Sequence, residues 1–319
     1  MSYKWYILKS GIVLFVLLSL MLASCTKSDN YGDVTIAVDY LINDNTLITD
    51  SLCYSNEFGN EFLITEIQWF ISRIELQDEN GDWIHLEQNE KEIAVSHTSD
   101  GVFYLDTSIP DSHVIELAPI PTGKYKTFRF VFGLNEEDNH SGLFSNPPEA
   151  DMFWPDVLGG GYHYMKLNGK YLNSDGRLAP LATHLGIGPN EELTEFYQNY
   201  FIVEIPIDFS VDANANNHIC LTMIVDNWFR NPNMIDFNEY GSSIMQNQTA
   251  QQLIRCNGID VFSIVQCNEK ESAMKEKKTE SIAELINSVI QKAAPKLHFW
   301  SWKSVVERHE SIKPNDSKY

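Results

Sequence analysis

The chain has 319 residues, of which 43% are hydrophobic, and its formal net charge at pH 7 is −21. This length is sufficient to bury a full hydrophobic core. The excess of acidic residues argues against nucleic acid as a partner and against adsorption to anionic lipid headgroups, because both carry negative phosphate groups.

The N-terminus has the layout of an export signal. Lys4 and Lys9 precede an apolar run from 11 to 23, which is shorter than the ~20 residues that a membrane-spanning helix needs. The run ends in Leu22-Ala-Ser-Cys25, which resembles the lipobox of bacterial lipoproteins. We therefore expect a signal peptide over residues 1–24, lipid on Cys25 and a tether over residues 25–32. The alternative is ordinary signal cleavage beside a chance cysteine.

Processing at Cys25 would place the mature chain in the cell envelope, lipid-anchored at the outer membrane on its periplasmic or surface face. Removal of Lys4 and Lys9 would leave 21 basic and 44 acidic residues, a formal charge of −23. Disulfides are allowed in that compartment. The remaining cysteines, Cys53, Cys220, Cys256 and Cys267, permit three pairings, and the sequence does not choose among them.

The part of the chain after the tether alternates short strand-like runs with turn residues. The runs are rich in β-branched and aromatic residues and fall at 34–40, 62–76, 83–86, 125–132, 161–167, 201–207 and 219–225. No strand–helix–strand alternation occurs. This pattern predicts an antiparallel β-sandwich with Greek-key-like connections in a domain over residues 33–268.

Two segments differ from this pattern. Residues 135–160 form a long stretch that is acidic at first and then rich in proline, aromatic residues and glycine, and a loop of this length is typically functional. Residues 269–319 form a C-terminal extension in which apolar residues recur at helical spacing, which predicts an amphipathic helix near 272–293.

The common catalytic motifs are absent from the sequence. It contains no G-x-S-x-G elbow, P-loop, H-E-x-x-H or EF-hand loop. Acidic pairs such as Glu136-Glu137 could serve a glycosidase, but charge runs beside loops are usually solvated surface. We therefore expect a protein that is not an enzyme.

Three histidines lie near predicted loop and strand ends: His140, His163 and His184. Neutral imidazole is the commonest protein ligand for copper and zinc, so three such side chains converging from separate segments would form a metal centre. The alternative is that His163 simply lies on one face of a strand and that His184 caps a turn.

The order of several short segments resembles that of the MbnP-like copper-binding proteins. The most informative are Met152-Phe-Trp154, Gly161-Tyr-His-Tyr-Met-Lys-Leu-Asn-Gly169 and His184-Leu-Gly186. Others lie at 67–76, 80–81, 120–125, 130–135, 139–140, 225–229 and 257–263. The resemblance covers residues 33–265, and it rests on the order of the motifs, since none of them is specific alone.

The resemblance implies a β-sandwich that holds copper through histidines near an oxidisable tryptophan. In relatives, a separate dihaem peroxidase-like enzyme converts that tryptophan to kynurenine. His140 and His184 match the family's histidine elements and Trp154 matches the first tryptophan, whereas Pro155-Asp156 stands near where relatives commonly carry a second one. We expect His140 and His184 to bind one copper ion, with His163 or water completing the site.

A second hypothesis comes from a different functional class. Trp154, Tyr162 and Tyr164 could form an aromatic platform of a surface interaction or glycan-binding module without metal.

Overall fold

The computed structural model describes residues 30–87, 101–190, 194–213, 215–242 and 244–265. The signal peptide, Cys25 and the predicted helix at 272–293 lie outside these ranges. Within them, no helix has both the length and the apolar character that a membrane crossing requires.

The described part of the chain is built mainly from β-strands. In chain order these are β1 Tyr31–Ile42, β2 Asn45–Thr46, β3 Tyr54–Ser55, β4 Glu61–Asp78, β5 Trp83–His85, β6 Val102–Asp106, β7 Val114–Pro121, β8 Gly123–Phe132, β9 Met165–Leu172, β10 Leu178–Leu185, β11 Gly188–Pro189, β12 Phe196–Tyr197, β13 Phe201–Val211, β14 Asn217–Ile224 and β15 Phe262–Val265. The α-helices are α1 Phe237–Tyr240 and α2 Gln248–Asn257. Short 3-10 helices occur at Pro110–His113, Glu149–Met152, Asp156–Leu158, Val225–Phe229, Ile244–Gln246 and Gly258–Asp260.

Two main sheets form the predicted sandwich. The larger has the order β10-β9-β4-β8-β13, with β3, β5 and β6 also paired to β4. The smaller has the order β15-β14-β1-β2, with β7 beside β1. The prediction of a mainly antiparallel β-sandwich is therefore confirmed. One pair departs from it, since β1 and β14 run parallel, and alternation of apolar residues cannot distinguish a parallel from an antiparallel neighbour.

Aromatic side chains of the two sheets meet in a shared core. Trp69 on β4 stacks on Phe132 with ring centroids 5.9 Å apart, and its ring lies 5.3 Å from that of Phe262 on the opposite sheet. The Trp69 indole also donates a 2.9 Å hydrogen bond to the hydroxyl of Tyr40 on β1. The sandwich therefore buries large aromatic surface while satisfying the polar atom that the indole brings with it.

The strand predicted at 161–167 begins later than expected, at Met165. Gly159, Gly160 and Gly161 have φ angles of 117°, 72° and 78°, a left-handed conformation that ends extended structure. Residues 161–164 are consequently the last residues of the loop that joins β8 to β9, instead of the first residues of a strand.

Two of the described cysteines are free and exposed, namely Cys53 and Cys256. Cys220 is disulfide-bonded.

Candidate metal centre

His163 is buried at the start of the segment that leads into β9, with 5% of its surface exposed. Its backbone N–H donates to the carbonyl of Met152 at 2.7 Å, and its Nδ1 lies 2.9 Å from the same oxygen. A carbonyl can only accept, so Nδ1 carries the proton and Nε2 carries the free lone pair. Nε2 is buried and has no hydrogen-bond partner. Such atoms are rare in folded proteins, and a metal ion is one of the groups that can satisfy them.

A second imidazole lies beside it. His184 is on β10, and its ring centroid is 5.2 Å from that of His163 with the planes at 80°. The Nε2 of His184 lies 2.8 Å from Oδ1 of Asn168 on the neighbouring strand β9. This hydrogen bond assigns the ring proton to Nε2 and leaves Nδ1 as the lone-pair donor. The free lone pairs of the two neighbouring rings thus lie on different nitrogens, Nε2 of His163 and Nδ1 of His184.

Both histidines are held neutral by their surroundings. Burial, together with the smaller effects of His184 and Lys166, lowers the pKa of His163 to about 3, although the hydrogen bond to Met152 opposes the shift. Burial and Lys166 lower the pKa of His184 to about 4. Since a metal binds the unprotonated nitrogen, the pair needs no deprotonation at neutral pH.

Trp154 packs against the ring of His163. The ring centroids are 4.6 Å apart at an interplanar angle of 81°, and the indole has no exposed surface. Its Nε1 donates to the carbonyl of Leu158 at 3.3 Å. A Cβ built on Gly186 would lie only 2.7 Å from carbons of the indole. The third residue of the His184-Leu-Gly186 motif therefore makes room for Trp154.

Lys166 is the cation whose charge acts on both imidazoles. It is half-buried on β9 and pairs across the sheet with His184, and its ammonium group donates to the carbonyl of Asp151. Burial lowers the pKa of Lys166, while the carboxylates of Asp151 and Glu66 oppose that shift.

His140 lies in the loop that joins β8 to β9. It is exposed, and its backbone bonds stay within its own loop, to Asp138 and Leu143. Within the described ranges its imidazole has no ring contact or side-chain hydrogen bond with His163 or His184. The structure thus joins His163 to His184, and the role of His140 as a ligand stays a prediction.

The residues on either side of His140 accept hydrogen bonds from the two residues that precede His163. Oδ1 of Asn139 accepts from the backbone of Tyr162 at 2.8 Å, and Oγ of Ser141 accepts from the backbone of Gly161 at 2.9 Å. A Cβ on Gly161 would lie 2.2 Å from Oδ1 of Asn139. The loop at 139–141 is therefore packed against the residues that directly precede His163.

The metal preference of the site follows from the chemistry of its donor atoms. In the described part of the chain, no three His, Cys, Asp or Glu side chains lie close enough to hold one ion. The available protein donors are two neutral imidazole nitrogens, without thiolate or carboxylate. Such a set fits copper better than calcium or magnesium, which prefer oxygen ligands.

Sequence reasoning missed three residues of the site: Asn168, Lys166 and Gly186. All three lie in the motifs at 161–169 and 184–186, so these motifs were the signal that could have identified them. Their roles depend on cross-strand pairing and close packing, which the motif alone does not show.

Comparison with known proteins confirms the resemblance seen in the motifs. The model of the MbnP family matches residues 31–246. Among solved structures, MbnP from Methylosinus trichosporium is similar, with 15% sequence identity and a TM-score of 0.46 over 65% of this chain and 80% of that chain. No match was found among curated protein sequences.

Proposed function

We propose, since this chain belongs to the MbnP family, that it binds one copper ion through His163 and His184 beside Trp154, as a binding protein and not as an enzyme. The observation that carries the proposal is the buried Nε2 of His163, which has no hydrogen-bond partner and lies beside a second neutral imidazole. Leaving such a nitrogen unpaired costs about 1–3 kcal/mol, which a bound ion would recover.

The tautomers support this assignment. Met152 and Asn168 accept the ring protons of His163 and His184, so each ring directs its lone pair away from its own hydrogen bond. Partners of this kind orient metal-binding imidazoles and raise their basicity. Copper bound here would supply a redox-active metal ion. The residues of the chain bind it, orient the two rings and, through Trp154, exclude water from one side.

Removal of either histidine is expected to weaken copper binding by roughly a hundredfold or more, because half of the protein donors are lost. The measurement is competition with a chromogenic chelator, using Cu(I) under reducing conditions, on the wild-type protein, His163→Ala and His184→Ala. His218→Ala is the matched control, since His218 is an exposed histidine on β14. His140→Ala tests whether the loop histidine supplies a third donor.

Stoichiometric copper in both histidine variants would contradict the proposal, as would wild-type protein that binds no copper. A weakened His140→Ala variant would add His140 to the ligand set without removing His163 or His184. Thermal unfolding of each variant checks that a lost site is not a lost fold.

The aromatic platform of the alternative hypothesis is wrong. Trp154 and Tyr164 have no exposed surface and Tyr162 has 2%, so none can stack on a sugar ring. Burial of Trp154 also means that the dihaem enzyme implied by the resemblance would not touch the indole in this conformation. That partner stays a prediction.

We also propose that the protein is anchored by lipid on Cys25, on the evidence of the short apolar run that meets Leu22-Ala-Ser-Cys25. Cys25→Ser is expected to leave the precursor unprocessed or to release the protein from membranes. Membrane fractionation with a carbonate wash measures this, and processing and fractionation identical to those of the wild type would count against the anchor.

A further inference from the structure

We propose that Lys166 determines the charge preference of this site, favouring a monovalent ion over a divalent one. The inference rests on the proposed function, because it concerns an ion bound at His163 and His184. It concerns a residue that binds no metal itself and acts through its fixed positive charge.

The strand register places Lys166 beside the pair. Lys166 on β9 lies directly opposite His184 on β10. Side chains of directly opposite residues in an antiparallel pair project from the same face, with Cβ atoms about 4.5–5.5 Å apart. The ammonium group of Lys166 is therefore on the face of the sheet that carries the second imidazole.

A second contact brings it toward His163 as well. The ammonium group donates to the carbonyl of Asp151, and the ring of His163 bonds to the carbonyl of the next residue, Met152. Consecutive carbonyls of one short segment thus hold both side chains. This segment, Glu149–Met152, is a 3-10 helix, so its backbone is ordered.

The other charges in this region do not cancel the effect at the imidazoles. The carboxylates of Asp151 and Glu66 act on Lys166, whereas Lys166 is the charged side chain that acts on both rings, with a further contribution of His184 at His163. Neither candidate donor is anionic. An ion at this site would therefore meet a net positive neighbour and no compensating ligand charge.

The repulsion between Lys166 and the ion grows with the charge of the ion. A divalent ion is repelled twice as strongly as a monovalent one, and at an effective dielectric constant near 20 and a separation of several Å, the difference amounts to roughly a tenfold preference or more. Lys166 should therefore shift the balance between Cu(I) and Cu(II) without being a ligand to either.

The test compares dissociation constants for Cu(I) and Cu(II), each measured with a competing chelator, in the wild-type protein, Lys166→Gln and Lys166→Met. We expect the ratio of the Cu(II) to the Cu(I) constant to fall about tenfold in both variants, which equals a 59 mV decrease in the one-electron potential. Lys166→Arg should keep the wild-type ratio. Lys170→Gln is the control. Lys170 is exposed on the same strand and lies opposite Pro180, so its substitution removes the same charge farther from His163 and His184.

The outcomes separate this inference from the proposed function. If the wild-type protein binds copper but Lys166→Gln and Lys166→Met keep its ratio, the role of Lys166 is wrong and the copper site stands. If Lys170→Gln shifts the ratio equally, the effect is general protein charge and the inference also fails. Equal weakening toward both ions would identify a structural role alone and would overturn it. Wild-type protein without copper affinity would reject both proposals.

Discussion

Replacement of Gly186 by alanine is expected to lower the free energy of unfolding by about 3 kcal/mol, roughly a hundredfold in the folding equilibrium. The added Cβ would lie 2.7 Å from carbons of the Trp154 indole, closer than non-bonded carbons approach. The indole cannot retreat freely, because it is fully buried and the ring of His163 packs against it. Urea unfolding of the two proteins measures the difference.

The control for this prediction is Gly142→Ala. Gly142 has a φ of 83° but no atom within 4 Å of an added Cβ, so its substitution adds backbone strain of about 1 kcal/mol without a steric clash. The double variant Gly186→Ala/Trp154→Ala should lose less stability than the sum of the single variants, because a shortened Trp154 leaves space for the methyl group. An additive result, or a cost at Gly186 no larger than at Gly142, would contradict the proposed packing.

Acid is expected to destabilise the protein through the buried side chain of His163. The folded-state pKa of His163, about 3, is below the ordinary value near 6.5. As the pH falls below 6.5, His163 is protonated in the unfolded chain but stays neutral in the folded protein. The stability that is complete above pH 6.5 is therefore lost progressively as the pH falls toward 3. At pH 4.5 the contribution of His163 to this loss is on the order of 2–3 kcal/mol.

His163→Gln should remove that contribution, because glutamine does not titrate. The free energy of unfolding, measured in urea at pH 7 and pH 4.5, should fall less in His163→Gln than in the wild-type protein. Exposed His218 provides the control, since His218→Gln should keep the wild-type pH dependence. Equal acid sensitivity in the wild type and His163→Gln would show that His163 is not buried in its neutral form.

The sequence identified His163 and His184 as candidate ligands but did not show that they lie side by side. The motif containing His163 and the motif containing His184 marked both side chains as candidate ligands, yet we expected His184 to pair with His140. Asn168 on β9 orients His184. The residues that precede β9 place His163 beside His184. His140 is an exposed residue of the loop between β8 and β9, and its role as a ligand stays a prediction.

The sequence alone determined the mainly β architecture, the family resemblance and the candidate residues. These follow from local patterns: the alternation in strands such as β1, the turn residues between strands and the order of short motifs. Only the tertiary structure decided that β1 and β14 are parallel and that Trp154 is buried between His163 and Gly186. It also decided which nitrogen of each imidazole is free. These features depend on strand register and on contacts between residues distant in the chain, because side-chain periodicity records which face is buried but not which partner buries it.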